Sequence, residues 1–399
     1  MPSRVEQITT DTYRELARER RLLAELDDDI VRTQIEVSEI AAPTGAERRR
    51  ARWVAERFAA TGFDATIDGA GNVVARASDA VAAAPVVVCA HLDTVFPEGT
   101  HVSVRREGNR IVGPGICDNG RGLAVMLALA QVIRQCRAPF ARAVEFVATT
   151  GEEGSGDLRG AKFRFGNGSR PFAVVALDGA GDERVVNTAL GSRRFRVEYR
   201  GPGGHSWAAY GMPNPVHAAA RAATSLANLR VRGMARSSLT VSRIGGGLAI
   251  NAIPEVAWLE VDARSTDEAV LAWLEREVRS LASAAATEEN DRRAPQAAPL
   301  TRRVERIGDR PGGHTGADTP LVVAALEATR LVGRVPELAA ASTDANAAIA
   351  AGAPAIAIGG GGKGGDAHTT REWFDNGSGT AGVERALTIV ATMARLAAD

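Results

Sequence analysis

Four short, almost uninterrupted apolar runs punctuate the chain: APVVVCA (84–90), AVEFVATT (143–150), FAVVALD (172–178) and APAIAIGG (353–360). Runs this short, rich in β-branched residues and lacking polar alternation, predict strands covered on both faces, as the strands of parallel sheets are. Between them lie segments with helical spacing of apolar residues. These are PTGAERRRARWVAERFAATGF (43–63), closed by Gly62, then RGLAVMLALAQVIRQC (121–136) and TPLVVAALEATRLVG (319–333). Strand and helix in alternation predict an α/β domain with a largely parallel sheet.

From about 191 to 311 the texture changes. RRFRVEYRG, SSLTVSRIGGG, EVAWLEVDARS and PLTRRVERI read as half-exposed strands, and NPVHAAARAATSLANL and DEAVLAWLEREVRSLAS as helices. The order strand, helix, two strands, helix, strand predicts a small ferredoxin-like α+β insert with an antiparallel sheet. The first domain, residues 1–190, then resumes at 312 and runs to 399. A length of 399 residues agrees with two cores rather than one.

Charge narrows the partners. The 48 basic and 48 acidic residues balance, so no electrostatic reason points to nucleic acid or to an anionic membrane. The N-terminal segment MPSRVEQITTDTYRELARERRLL is polar, without the apolar stretch of a secretion signal, and no run of 18 apolar residues follows. A soluble cytoplasmic protein acting on small molecules is expected. Cys89, Cys117 and Cys136 are too few and wrongly spaced for a disulfide framework or a thiolate zinc site, and Cys89 within VVVCA reads as a buried hydrophobe. Any metal is therefore to be held by histidine and carboxylate. The run GGGGKGG (359–365) lacks the Ser or Thr and the following helix of a phosphate loop, and no G-x-S-x-G nucleophile elbow occurs.

In α/β folds functional groups gather at the carboxyl ends of the strands. There this sequence places His91 and Asp93, Glu152 and Glu153, Asp178, and, after the last run, His368; Asp118 stands just before an apolar helix. Singly, each has an ordinary structural explanation. Asp118 suits a helix N-cap, Asp178–Gly179 a turn, Glu152–Glu153 a solvated loop, and each histidine a hydrogen-bonded or surface role. Jointly, so many carboxylates at one sheet edge need cations. Two histidines with three carboxylates suffice for two divalent metals if one carboxylate bridges. Such donors suit Zn²⁺, and also Co²⁺ or Mn²⁺.

The motifs HLDTV, GPGICDNGRG, TTGEEG, LDG, GPGGHS and GGDAHTTREWFD together resemble the M20 family of di-zinc metallopeptidases, from about residue 30 to the end. That family includes tripeptidase T-like enzymes, glutamate carboxypeptidases and N-acyl-amino-acid deacylases. The resemblance implies His91 and Asp178 on one metal, Glu153 and His368 on the other, and Asp118 bridging. It further implies Asp93 orienting His91, and Glu152 as general base toward the attacking water. In the insert, a lid and dimerisation domain by this resemblance, it implies that His205 stabilises the oxyanion across a homodimer interface. Asn251 and Arg264 would contact substrate, Arg264 through its carboxylate. His101, His217 and His314 match no ligand position. Arg121 after the bridging aspartate and the bulky Trp207 depart from the family's usual wording and bear on the substrate subgroup and on pocket width. The wording around GEEGSGDLRG and HTTREW is closer to the tripeptidase branch. An exopeptidase for small peptides is the leading expectation, with a carboxypeptidase or N-acyl-amino-acid deacylase second. From other classes, a catalytically silent metal-binding dimerisation protein and a nucleotide-binding protein rank below both.

Overall fold

A computed structural model of the chain describes residues 2–77, 83–136, 140–166, 168, 170–231 and 236–396. The chain divides into two compact units, Met1–Ala189 with His314–Asp399, and Leu190–Gly313.

The first unit is a three-layer α/β structure. Four parallel strands form the centre of its sheet, in the order Val144–Thr149, Val86–His91, Ala173–Leu177 and Ala355–Ile358. Antiparallel neighbours flank them, Val73–Arg76 and Asp64–Ile67 on one side and Arg184–Ala189 on the other, which in turn pairs in parallel with Glu337–Ala341. The four predicted apolar runs are the four central strands.

Alternate side chains go to opposite faces, and both faces are covered. Val86, Val88, Phe146, Val175 and Ile356 pack with the helices Arg48–Ala60, Gly120–Gln135, Pro320–Leu331 and Ala381–Arg395. Val87, Cys89, Val147, Val174 and Ala357 face the other way, toward Arg159–Gly166 and Ala345–Ala350. Double coverage explains why these runs show no polar alternation. Cys89 is a buried free thiol, as its surroundings in the sequence indicate. No helix among the described residues is long and apolar enough to cross a membrane.

The second unit carries a four-stranded antiparallel sheet in the order Ser237–Gly246, Val256–Ser265, Gly191–Arg200, Thr301–Arg310. The helices Pro215–Asn228 and Glu268–Asp291 cover one face, against Phe195, Val197, Tyr199, Leu259 and Val261. On the other face charges pair across strands. Glu260 meets Arg196 and Arg243, Asp262 meets Arg194 and, along its own strand, Arg264, and Trp258 lies under the guanidinium of Arg196. Alternation along these strands therefore separates an apolar face from a self-neutralised polar one.

Candidate metal centre and active site

The first unit gathers its acidic and imidazole groups where the parallel strands end. His91 is the last residue of its strand, Glu152 and Glu153 follow Thr149, and Asp178 follows Leu177. Asp118 precedes the Gly120–Gln135 helix but does not cap it. Asn119 does, accepting from the Gly122 amide at 3.1 Å, which leaves the aspartate carboxylate for the site. His368 lies on the loop between the short antiparallel strands Lys363–Gly365 and Trp373–Asp375.

Asp118 stands at the centre. Its Oδ1 is 2.9 Å from His91 Nε2 and its Oδ2 is 3.2 Å from His368 Nε2. His368 Nε2 also lies 3.1 Å from Glu153 Oε1, and His91 Nε2 lies 3.9 Å from Asp178 Oδ1. Single ligand atoms of His91, Asp118 and Glu153 all fall within 4.8 Å of one another. One carboxylate thus turns its two oxygens to two imidazoles, with a further carboxylate beside each.

Proton affinities follow from that crowding. Burial pulls His91 down, but its bonds to Asp118 and Asp93 outweigh this and raise it well above the ordinary imidazole range. The same bonds from Asp118 and Glu153 push His368 up to about 10. Burial, then the charge of Asp118, lifts Asp178 to about 7. Burial works against the Asp118 carboxylate too, yet its bonds to His368 and His91 hold it well below the usual carboxylate range. This donor set of imidazole and carboxylate calls for positive charge from protons or from divalent cations, and it fits the latter.

Asp93, expected to orient His91, stands beside its Nδ1. The group facing His91 Nδ1 at hydrogen-bond distance is the Asp93 carbonyl oxygen, at 3.0 Å; the carboxylate stands 3.7 Å away. The carboxylate also accepts the amides of Glu152 and Glu153 at 2.9 and 3.0 Å and the Thr44 hydroxyl at 2.8 Å. It pins the turn that carries both glutamates, which Gly151 opens at φ +64°. Glu152 is buried, and its charge is among those acting on His91.

Arg121 is a core residue. It is fully buried, with Nε donating to the Gly360 carbonyl at 2.8 Å and the guanidinium over the Phe374 ring, so its side chain braces the glycine run rather than a substrate. That run is glycine because backbone passes backbone: a Cβ on Gly359 would come within 2.1 Å of the Ala180 carbonyl oxygen.

In the second unit, Gly204–His205 pairs with Ala252–Ile253, setting His205 beside the loop that carries Asn251. His205 Nδ1 accepts the Trp207 amide at 3.2 Å, and Trp207 itself is 87% exposed. Arg264 lies on the charged sheet face, bonded to Asp262 at 2.7 Å. Sequence reasoning missed three supports of the site: Thr44, Asn119 and Glu372, the last of which accepts main-chain amides leading to Asp118. Only the position of Glu372, four residues after His368, offered a signal.

The model of the peptidase family M20/M25/M40 matches residues 87–397. Among solved structures, a tripeptidase from Staphylococcus aureus subsp. aureus Mu50 superposes with a TM-score of 0.76 at 22% identity, over 93% of this chain and 99% of that one. The aminopeptidase PepT from Bacillus cereus ATCC 10987 gives 0.72 at 21%, over 92% and 99%. An amidase of the hydantoinase/carbamoylase family from Burkholderia vietnamiensis gives 0.74 at 19%, over 93% and 98%. At these identities the likeness establishes a shared fold.

Proposed function

The chain belongs to the peptidase family M20/M25/M40, and on that premise we propose that it is a two-metal amide hydrolase acting on small peptides as an exopeptidase of aminopeptidase or tripeptidase type. The observation that carries this reading is the division of Asp118, one oxygen toward His91 and the other toward His368. His91 and Asp178 would hold one ion, Glu153 and His368 the second, and Asp118 both. Zn²⁺ suits these donors, with Co²⁺ and Mn²⁺ as alternatives. Bound divalent ions supply Lewis acidity, polarising the scissile carbonyl and lowering the pKa of water from 15.7 to about 7.

Glu152 takes one proton from the attacking water as its oxygen bonds to the carbonyl carbon. It returns that proton to the amide nitrogen as the C–N bond breaks, and the water's second proton passes from the new carboxyl group to the amine, so the base is regenerated with an ammonium and a carboxylate as products. Its backbone anchorage on Asp93 supports this assignment, because a proton carrier must be held within reach of both atoms. His205 donates to the oxyanion across a homodimer formed through the 190–313 unit. The Trp207 amide on Nδ1 favours the tautomer with the proton on Nε2, free to donate. Asn251 and Arg264 contact substrate, Arg264 by exchanging Asp262 for a substrate carboxylate.

Glu152→Gln tests the central step. Both metals should remain by elemental analysis while kcat falls by about 10²–10⁴; an unchanged rate removes Glu152 from the role of base. His205→Ala should lose about 2.7–4 kcal/mol of transition-state stabilisation without dissociating the dimer in sedimentation, whereas a fully active monomer excludes the trans role. A second reading, hydrolysis of N-acyl or related amides, draws on the likeness to the hydantoinase/carbamoylase amidase fold. Peptides with free and blocked amino termini separate the two, since aminopeptidase action requires the free amine.

A further inference from the structure

Glu372 is fully buried, and the charge of Asp118, of its own sign, acts on it. Its Oε2 accepts the Gly115 amide at 3.1 Å, and its Oε1 accepts the amides of Cys117 and Asp118, each at 2.7 Å. The main chain returns the link, the Glu372 carbonyl accepting from the Gly113 amide at 2.9 Å. Glu372 therefore ties two loops, 113–118, which ends in Asp118, and 366–372, which carries His368.

Burying a carboxylate against amides alone is costly. The hydrogen bonds explain why a neutral residue would not serve equally. Three converging N–H donors need acceptors on both oxygens, which an ionised carboxylate offers and a carboxamide does not. The loop it anchors also needs restraint. Asp366 and His368 both sit at positive φ, +55° and +65°, a conformation that costs a residue other than glycine about 1–2 kcal/mol. Within the loop, the Thr369 hydroxyl bonds the Asp366 carbonyl at 2.8 Å, and the Glu372 amide donates to the Thr369 carbonyl at 3.1 Å. Glu372 and the strand that follows it fasten the far end.

We infer that Glu372 is a positioning residue that sets the spacing between Asp118 and His368, and through it the affinity of the second of the two metals. This rests on the ligand assignment proposed above. Asp118 serves both ions, but the first ion's other ligands, His91 and Asp178, stand on strand ends that Glu372 does not touch, whereas His368 of the second stands on the loop that Glu372 anchors. Partners beyond the ligands themselves typically govern affinity by 10–100-fold, so the effect should fall unequally on the two ions.

The test is a titration of metal-free full-length protein with zinc against a competing chelator, for wild type, Glu372→Gln and Glu372→Ala, with circular dichroism to confirm folding. Wild type should take up two equivalents. Glu372→Gln should keep the tighter equivalent within about threefold and weaken the other by about 10–100-fold. Equal weakening of both equivalents, or none, overturns the inference. If Glu372→Ala does not fold, Glu372→Gln carries the measurement. Amide hydrogen exchange in the metal-free protein tests the tether separately: Cys117 and Asp118 should exchange faster in Glu372→Gln, and unchanged exchange refutes the positioning role even where metals bind as expected. A wild type taking up fewer than two equivalents instead sinks the two-metal reading, and the tether then stands or falls on the exchange result.

Discussion

Asp93 has no exposed surface, yet its carboxylate accepts two consecutive amides and a hydroxyl. Burial opposes its charge, and contact with His91, followed by those amides, more than compensates, so its pKa lies below the ordinary value. Asp93→Asn keeps the shape and replaces one acceptor oxygen with a donor that faces an N–H. Leaving such a pair unmet costs about 1–3 kcal/mol. The glutamate turn should loosen, so urea unfolding and zinc titration should both shift downward, whereas a variant with unchanged midpoint and affinity would refute the tether. Arg121 makes the opposite case. Its polar contacts point inward, to the Gly360 carbonyl and toward Gln34, and burial holds it down to about 10. Arg121→Met should lower stability by about 1–3 kcal/mol through the orphaned carbonyl, while the ranking of cleaved substrates stays as in wild type. A changed ranking in a panel assay would return Arg121 to the substrate site.

At the scale of elements, glycine decides where helices can lie. Gly382 is in the first turn of Ala381–Arg395, and a Cβ there would stand 2.2 Å from the Gly361 α-carbon and 2.3 Å from its nitrogen. Helix propensity favours alanine over glycine by about 1 kcal/mol, but neither colliding atom belongs to a flexible side chain, and overpacking typically costs about 1–3 kcal/mol. The collision wins, so Gly382→Ala should be destabilising in thermal or urea melts; a stabilised variant would mean that the Gly359–Gly362 backbone can move aside. The same close approach explains what was legible in the sequence. VVVCA, VEFVAT, AVVAL and AIAI declare themselves as doubly covered strands because burial leaves no polar alternation in them, and the half-exposed strands of the second unit declare themselves by alternation. Functional residues at strand ends follow from that frame. Glycines that admit a neighbouring backbone carry no pattern of their own, so GGGGKGG read only as a failed phosphate loop. Thr44, Asn119 and Glu372 each bond to residues far away in the chain, and no local periodicity marks such partners.

For the whole molecule, the concentration of acids and imidazoles in one place makes folding stability depend on pH and metal together. His368 is held up to about 10 against an ordinary 6.5, and His91 is raised well above the same value. Asp178 is lifted to about 7 from 3.8, and Glu372 to about 7 from 4.5. In all four the folded chain binds its proton more tightly than the unfolded chain. The stabilisation is therefore complete below the unfolded value and is lost as pH rises through the folded one. The acids lose theirs between about pH 4 and 7 and the imidazoles between about pH 6.5 and 10. Asp118 and Asp93, whose values are lowered, add stability that is fully present above about pH 4 and is lost as pH falls below it, so they leave the slope above that pH unchanged. Protein stripped of metal should therefore lose stability steadily from about pH 5 to about pH 8.5. With zinc bound the slope should reverse, because cations require the deprotonated ligands and compete better with protons as pH rises. Urea midpoints across that range, with chelator and with saturating zinc, should converge toward acid and diverge toward alkali. Parallel curves would show that protons and metals do not share these side chains.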